Sequence, residues 1–377
     1  VLVSSLPKYL HDVSKKLVSE FVQDNIDQFK HHEILCNILK YIPTSVNSLP
    51  ATLQKHFPHH LASNTSSLTN YVTNLIKILS YCPELQYDIW QMIFESCIKL
   101  DVELQNELDD LDDDEIEELI NGNDEEDEDE VPGESDPEDA NISSHKLEDT
   151  EFDSENESED EREGEEEYLI DNITSTTTIK KILTKLDSII KLLLHSTEGS
   201  FTVEELNDGN GVFLFNTITS LFKSHILPTH FTKLIQFTLF HISQYQPELS
   251  DSFLVLLIDV AFSSNEILEK RVKAMQYLSS YIARARNLSR HQIVFVVSYL
   301  IGWLNKFVIE RECEVFDVAS DNKGRINNDP RNNVMMKKPA GGMERFKLFY
   351  AAFQALLYIF CFRHKMLYKV TPGATEK

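Results

Sequence analysis

The sequence predicts an all-α protein, a HEAT-like helical-repeat solenoid interrupted by a long disordered acidic loop. Apolar residues recur at spacings of three and four along most of the 377-residue chain, as they do on the buried face of a helix. Prolines fall between these periodic segments, where they end one helix or begin the next. No segment alternates apolar and polar residues for long enough to indicate a β-strand.

The periodic segments fall into two groups. In the first, apolar stripes begin at Tyr9, Ile34, Leu68 and Ile89. In the second, the stripes cover 179–193, 213–222, 231–242, 252–262, 272–285 and 293–308. Helices of roughly 12–20 residues that arrive in pairs are typical of a repeat solenoid rather than of a four-helix bundle. We therefore expect residues 1–108 and 171–316 to form two helical-repeat halves.

The halves are separated by an acidic insert, residues 109–170. Residues 101–170 hold 35 Asp and Glu against two basic residues, a net charge of −33, whereas the rest of the chain holds 27 acids and 33 bases, a net charge of +6. A segment with so few large apolar side chains cannot offset an ordering entropy of about 1–2 kcal/mol per residue, so we predict that it is disordered. The two halves are mildly basic although the whole chain is strongly acidic.

The last part of the chain contains one further helix. Residues 317–342 are rich in Asn, Lys and Gly and are predicted to form a disordered loop. Residues 343–366 are more apolar than a surface helix, so we expect a helix of the repeat stack that is buried on most faces. Residues 367–377 form an atypical tail, and a start without Met favours a fragment of a longer protein.

Cysteine spacing indicates a reducing compartment, and the length of the apolar runs indicates a soluble protein. The five cysteines show neither paired nor metal-binding spacing, so free buried thiols are expected. The apolar runs are shorter than the roughly 18–20 residues that cross a bilayer, which favours a soluble protein without membrane contact.

The motifs that support catalysis are missing from the sequence. There is no phosphate-binding glycine loop and no nucleophile elbow, and the DGNG string at 208–211 is interpreted as a turn between two helices. His32 and Cys36 lie one helical turn apart, but no second pair completes a zinc site. We therefore expect no enzyme activity, no cofactor and no metal.

A basic cluster stands out in the second half. It consists of Lys270, Arg271, Lys273, Arg284, Arg286 and Arg290. If the helix is continuous, Arg286 and Arg290 share one face. The cluster is either a solvated helix face or a patch that faces a partner, and it could also meet the acidic insert of the same chain. Sequence-specific DNA binding is not expected, because no helix-turn-helix spacing is present.

Several hydroxyl groups are candidates for phosphorylation. Ser4 and Ser5 precede a proline that begins a helix, so they suit either an N-cap or a phosphorylation site. Ser154 and Ser158 have acidic residues three positions downstream, as acid-directed kinases require.

Six strings together resemble one known family. They are SSLPKYLHDVSKKLVS, LDVELQNELDDLDDD, TKLDSII, HILPTHFTKLIQFTLFHISQ, SYIARARNLSRHQIVFVVSYLIGWLNKFVIERE and GGMERFKLFYAAFQALLYIFCFRH. They resemble the RNA polymerase I-specific transcription initiation factor family in its fungal form, a HEAT-repeat protein.

The resemblance implies a non-catalytic factor of the nucleus and nucleolus. Such a factor binds RNA polymerase I near its stalk, keeps it competent for initiation, and bridges it to the promoter-bound core factor at ribosomal RNA genes. It can form a homodimer when free. Phosphorylation of a serine patch on the first half blocks the polymerase complex, and the matching positions are Ser4, Ser5, Thr44 and Ser45.

Composition alone supports an alternative function. A helical-repeat nuclear carrier or histone chaperone would use the acidic insert to bind basic cargo, and this hypothesis stays open at the level of the sequence.

Overall fold

A computed structural model describes residues 9–24, 28–109, 111, 159–324 and 344–368. Before the acidic insert lie α1 (Leu10–Ser19), α2 (Gln28–Tyr41), α3 (Leu49–His56), α4 (Thr65–Leu79) and α5 (Gln86–Asp109). Helix α6 (Glu159–Glu198) begins within the insert, and it is followed by α7 (Val203–Asn207), α8 (Asn210–Leu221), α9 (Gln236–Ile242), α10 (Pro247–Phe262), α11 (Leu268–Arg284), α12 (Arg290–Gly324) and α13 (Glu344–Leu367). Short 3-10 helices cover Pro43–Ser48, Pro83–Leu85 and Gly199–Phe201, and a π-helical turn covers Phe222–Ile226.

Local sequence signals set many of the helix starts. The Asn64 side chain accepts a hydrogen bond from the Ser67 N–H at 2.8 Å and so caps α4. Pro247 begins α10, where its missing N–H has no helical partner to lose. Gly209, with φ of 89°, precedes α8 in a conformation that favours glycine. The predicted turn between two helices is therefore confirmed at residues 208–209, whereas Asn210 and Gly211 already belong to α8.

Helices close in the chain order pack against one another. Helix α10 packs on α11, and α13 packs on both α11 and α12. The two halves are joined across the insert, because α6 packs on α4 and α5, and α5 also contacts α8. One continuous hydrophobic core extends from Leu17 to Ile359. The prediction of an all-α helical-repeat fold is confirmed.

Two predicted helices differ from the structure. The helix expected from residue 231 begins at Gln236, because residues 231–235 form a loop. Helix α13 was expected to be buried on most faces, and this is wrong. It buries one stripe, which consists of Leu348, Ala352, Ala355, Leu356 and Ile359. Tyr350, Phe353 and Leu357 are exposed.

Several predictions lie wholly or mostly outside the described residues. These are the acidic insert, the 317–342 loop, the 367–377 tail, and the serines Ser4, Ser5, Ser154 and Ser158. The structure describes part of two of these segments. Helix α6 begins at Glu159, inside the predicted insert, and α12 continues to Gly324, inside the predicted loop.

Two helices are longer and more apolar than the sequence pattern suggested. By length and hydropathy alone, the stretches Arg290–Glu314 and Phe346–Leu367 could each cross a membrane. These stretches belong to α12 and α13, which pack against each other. Core helices of soluble proteins satisfy the same criterion.

All five cysteines are free, but they are not all buried. Cys82 and Cys97 are buried, and burial raises the pKa of their thiols to about 11 and about 12. Cys313 and Cys361 are exposed. The expectation of buried thiols is therefore correct for Cys82 and Cys97 and wrong for Cys313 and Cys361, and Cys36 is half-buried.

Candidate docking surfaces

The 3-10 helix after α2 carries two of the predicted regulatory hydroxyl groups, in different environments. Thr44 is exposed. Ser45 is only 5% exposed, and its hydroxyl donates a hydrogen bond to the Ile42 carbonyl at 2.6 Å. The Ser48 hydroxyl continues this local set by donating to the Ser45 carbonyl at 3.0 Å. Of the two adjacent residues, Thr44 is therefore the one whose side chain reaches the surface.

Helix α2, which leads to this turn, presents apolar side chains to solvent. Ile34 and Tyr41 lie seven residues apart, and so on the same face of the helix, and Tyr41 is 73% exposed. Phe29, near the start of α2, is also exposed. We call Ile34, Tyr41 and Thr44 the α2 surface. Exposed aromatic and aliphatic groups beside a polar turn are typical of protein-binding surfaces.

A buried histidine holds α2 in place beneath this surface. His32 Nε2 donates to Asn74 Oδ1 at 3.1 Å, and His32 Nδ1 is hydrogen-bonded to the Tyr81 hydroxyl at 2.9 Å. The Asn74 amide in turn donates to the Phe21 carbonyl at 3.0 Å, and the Phe21 ring stacks on His32. Burial lowers the pKa of the His32 imidazole because it penalises the charged form; the hydrogen bond to Asn74 opposes this shift, and the positive charge of Lys77 adds to it.

The first part of the basic cluster is engaged within the protein. The Arg271 guanidinium donates to the Ala261 carbonyl at the end of α10, at 3.1 Å. Lys273 donates to the Thr229 carbonyl and lies over the Tyr277 ring. Lys270 forms an ion pair with Glu266 at 3.0 Å. These side chains stabilise α11 and the segments around it.

Arg286 and Arg290 do not share a helix face, because the helix is not continuous between them, so that expectation is wrong. Helix α11 ends at Arg284 and α12 begins at Arg290, which leaves Arg286 exposed in the turn between them. The Arg284 guanidinium donates to the Ser280 hydroxyl at 2.9 Å and lies over the Phe237 ring. Arg284 and Arg286 are exposed, so they are the members of the cluster that remain candidates for a partner-facing patch.

Arg290 and Arg363 each bond to the carbonyl end of another helix. Arg290 donates to the carbonyls of Met366 and Tyr368 at the end of α13, each at 2.9 Å. Arg363 of α13 donates to the Ile282 carbonyl at 2.7 Å and to the Ala285 carbonyl, at the end of α11. The last carbonyls of a helix lack partners within it, so Arg290 of α12 satisfies groups at the end of α13, and Arg363 of α13 satisfies groups at the end of α11.

The sequence carried a signal for one important residue that we did not single out. Asp101 lies among Cys97, Leu100 and Leu104 on the apolar stripe of α5, and a carboxylate at such a position must find partners. In the structure it is fully buried, and one oxygen accepts the N–H groups of residues 233–235 at 2.8–3.0 Å. The sequence gives no such indication for Arg363 or His32, because their hydrogen-bond partners come from distant segments of the chain.

The fold defines a class of protein, the helical-repeat scaffold, and the surfaces described above are its candidate docking surfaces. The RNA polymerase I specific transcription initiation factor RRN3 family matches residues 1–376. The chain belongs to this family.

Named relatives support the same assignment. The chain is similar to RNA polymerase I-specific transcription initiation factor RRN3 of Saccharomyces cerevisiae, with 46% identity over 100% of this chain and 57% of the relative. The Schizosaccharomyces pombe protein rrn3 is 24% identical over 97% of this chain and 55% of its own length. A crystal structure of RNA polymerase I transcription initiation factor Rrn3 matches with a TM-score of 0.71 and 40% identity, over 98% of this chain and 59% of that one. The chain thus spans little more than half the length of these relatives.

Proposed function

We propose that this chain is part of a non-catalytic nuclear factor that binds RNA polymerase I and acts in initiation at ribosomal RNA genes. The observation that carries the proposal is the family match over nearly the whole chain, together with relatives named as RNA polymerase I-specific initiation factors. The finer proposal follows the sequence resemblance: nucleolar placement, contact near the polymerase stalk, bridging to the promoter-bound core factor, and a homodimer in the free state.

The α2 surface is the part of the first half that suits this docking. Its apolar groups, Ile34 and Tyr41, can be buried by a partner, and the exposed Thr44 hydroxyl lies at its end. A phosphate at Thr44 would add about −1.5 to −2 charges beside an apolar contact and would oppose docking. Phosphorylation of Ser45 would first require the turn to open, because the side chain is buried.

The test is binding of purified RNA polymerase I to variants of this surface. We expect Thr44→Asp and Tyr41→Ala each to reduce recovery of polymerase about fivefold, since a charge or a lost aromatic anchor weakens an interface. Ser4→Asp combined with Ser5→Asp is expected to act in the same direction.

Thr184→Asp is the matched control for charge, because Thr184 is an exposed threonine on α6. Its recovery should equal that of the unaltered chain. Equal recovery of Thr44→Asp and Tyr41→Ala would reject docking through the α2 surface, and cross-linking of the unaltered chain to polymerase I would then locate the contact elsewhere.

The net charge of −33 over residues 101–170 keeps the carrier hypothesis as a second candidate. A carrier of basic cargo depends on this charge, whereas docking through the α2 surface does not. Removal of the insert should therefore abolish cargo binding by a carrier but leave polymerase binding by an initiation factor intact.

A further inference from the structure

A cavity of about 550 Å³ lies between the loop before α9, the first half of α11 and the start of α13. It is lined by residues 230–233 and by Leu268, Glu269, Val272, Lys273, Gln276 and Lys347. Its volume falls within the usual range for sites that accept a small ligand or a few side chains. No function considered above uses this cavity.

The loop that forms one wall is fixed from three sides. Lys273 donates to the Thr229 carbonyl, and the Thr232 and Tyr277 hydroxyl groups lie 3.3 Å apart. On the other side, the buried Asp101 carboxylate accepts the N–H groups of residues 233–235. The wall is therefore preformed, and a ligand would not have to order it.

Phe231 sits on this wall in an unfavourable conformation. Its φ is 62°, and among the described residues it is the only non-glycine with a positive φ. A bulky side chain rarely adopts this region. The ring is also 59% exposed, so it gains little from burial. A strained backbone that presents an exposed aromatic ring at a cavity indicates a binding role, because strain of this kind concentrates at ligand sites.

The cavity combines positive charge with an apolar wall. Among the described lining residues, Lys233 and Lys347 are exposed, Lys273 is half-buried, and Glu269 is the one acidic residue. Leu268 and Val272 supply aliphatic surface beside the Phe231 ring. The lining is thus complementary to a ligand that is anionic at its edges and apolar at its centre.

We propose that this cavity binds an acidic peptide segment of a partner protein, with one large apolar side chain placed against Phe231, Leu268 and Val272. Carboxylates on either side of that side chain pair with Lys233 and Lys347. A nucleic acid is less complementary, because a polyanionic backbone needs an extended basic track and gains nothing from an aliphatic wall. This proposal is independent of the docking role of the α2 surface.

The experiment measures fluorescence anisotropy of a short labelled peptide of Asp and Glu with one central Phe, at about 0.15 M salt to suppress long-range attraction. We expect binding to the unaltered chain, and about tenfold weaker binding when the central Phe is replaced by Ser or when the acids become amides.

Two protein variants locate the site. Lys233→Glu combined with Lys347→Glu should weaken binding about tenfold or more, since attraction becomes repulsion. Phe231→Asn removes the ring but keeps a residue type that tolerates positive φ, so it should weaken binding without unfolding the loop. Lys180→Glu with Lys181→Glu, on exposed positions of α6, is the control of equal charge change and should bind as the unaltered chain does.

Three results would overturn the proposal. The first is equal peptide binding by both cavity variants and the control. The second is a single-stranded oligonucleotide that binds through Lys233 and Lys347 when the peptide does not. The third is peptide binding only after deletion of 112–158, which would mean that the chain's own acidic segment, rather than a partner, occupies the cavity.

Discussion

Asp101 connects the two halves of the molecule through a single carboxylate. It projects from α5, before the insert, and accepts three backbone N–H groups that lead into α9, after the insert. A buried carboxylate is unfavourable unless hydrogen bonds compensate its desolvation, and donors at a helix start provide that compensation. Its second oxygen has no hydrogen-bond partner in the described part of the chain.

Replacing this carboxylate should be costly. We expect Asp101→Asn to lower the free energy of unfolding by about 2–4 kcal/mol, since an amide must place its own donors in the same buried site. Urea denaturation measures the effect. Asp187→Asn, at an exposed ion pair on α6, is the control and should change stability by less than about 1 kcal/mol. Equal effects would contradict the role given to Asp101.

His32 should make stability depend on pH. Because burial lowers its pKa below the ordinary 6.5, the unfolded chain binds a proton more readily than the folded one. The stability is complete above about pH 6.5 and falls as the pH decreases toward the lowered pKa.

Unfolding free energies measured between pH 7.5 and pH 5 test this prediction. His32→Gln should show a smaller loss on acidification than the unaltered chain, although it is less stable at neutral pH. His195→Gln, at an exposed position, should retain the full pH dependence. If the unfolding free energy of His32→Gln fell with decreasing pH as steeply as that of the unaltered chain, the pH dependence would belong to other groups.

At the scale of elements, arginine side chains cap the carbonyl ends of helices that have no glycine cap. Arg271, Arg290 and Arg363 bond to the final carbonyls of α10, α13 and α11 respectively. A guanidinium can reach two carbonyls at once, whereas an ammonium offers a single point of charge. Of the arginines at 284, 286 and 290, Arg290 therefore has a structural role, because it connects the start of α12 to the end of α13.

Loss of one of these joints should destabilise the end of the stack. We expect Arg363→Met to lower the free energy of unfolding by about 1–3 kcal/mol, and Arg363→Lys to restore only part of it. Arg286→Met, in the exposed turn, should have an effect below about 0.5 kcal/mol. Thermal unfolding of the three variants gives the comparison, and an Arg363→Met variant as stable as Arg286→Met would exclude the capping role.

At the scale of the whole molecule, the charge is divided between a mildly basic helical stack and one acidic segment. Deleting residues 112–158 should leave the free energy of unfolding within about 1 kcal/mol, because α6 keeps its contacts with α4 and α5. Polymerase I recovery should also be retained. The carrier hypothesis would replace the initiation factor on two results together. The unaltered chain would bind a basic histone-tail peptide but not polymerase I, and the deletion would abolish binding of that peptide.

Much of the architecture was predictable because helix formation and amphipathic burial are local properties. The three- and four-residue spacing located Leu68, Tyr71, Val72 and Leu75 on the buried face of α4, where the structure has them. The same reasoning failed for α13, since a pattern of apolar residues cannot say how many faces have a neighbour. It failed at residues 231–235 because distant contacts, from Asp101 and Lys273, decide the path of that loop.

The sequence by itself determined the helical class, the order of the helices, the division of charge and the family. Each of these depends on residue spacing, composition or similarity along one chain. The tertiary structure alone decided which hydroxyl of Thr44 and Ser45 faces solvent, that the arginines join helix ends, and that a strained Phe231 borders a lysine-lined cavity. These features arise from contacts between residues far apart in the chain, and no local pattern encodes such contacts.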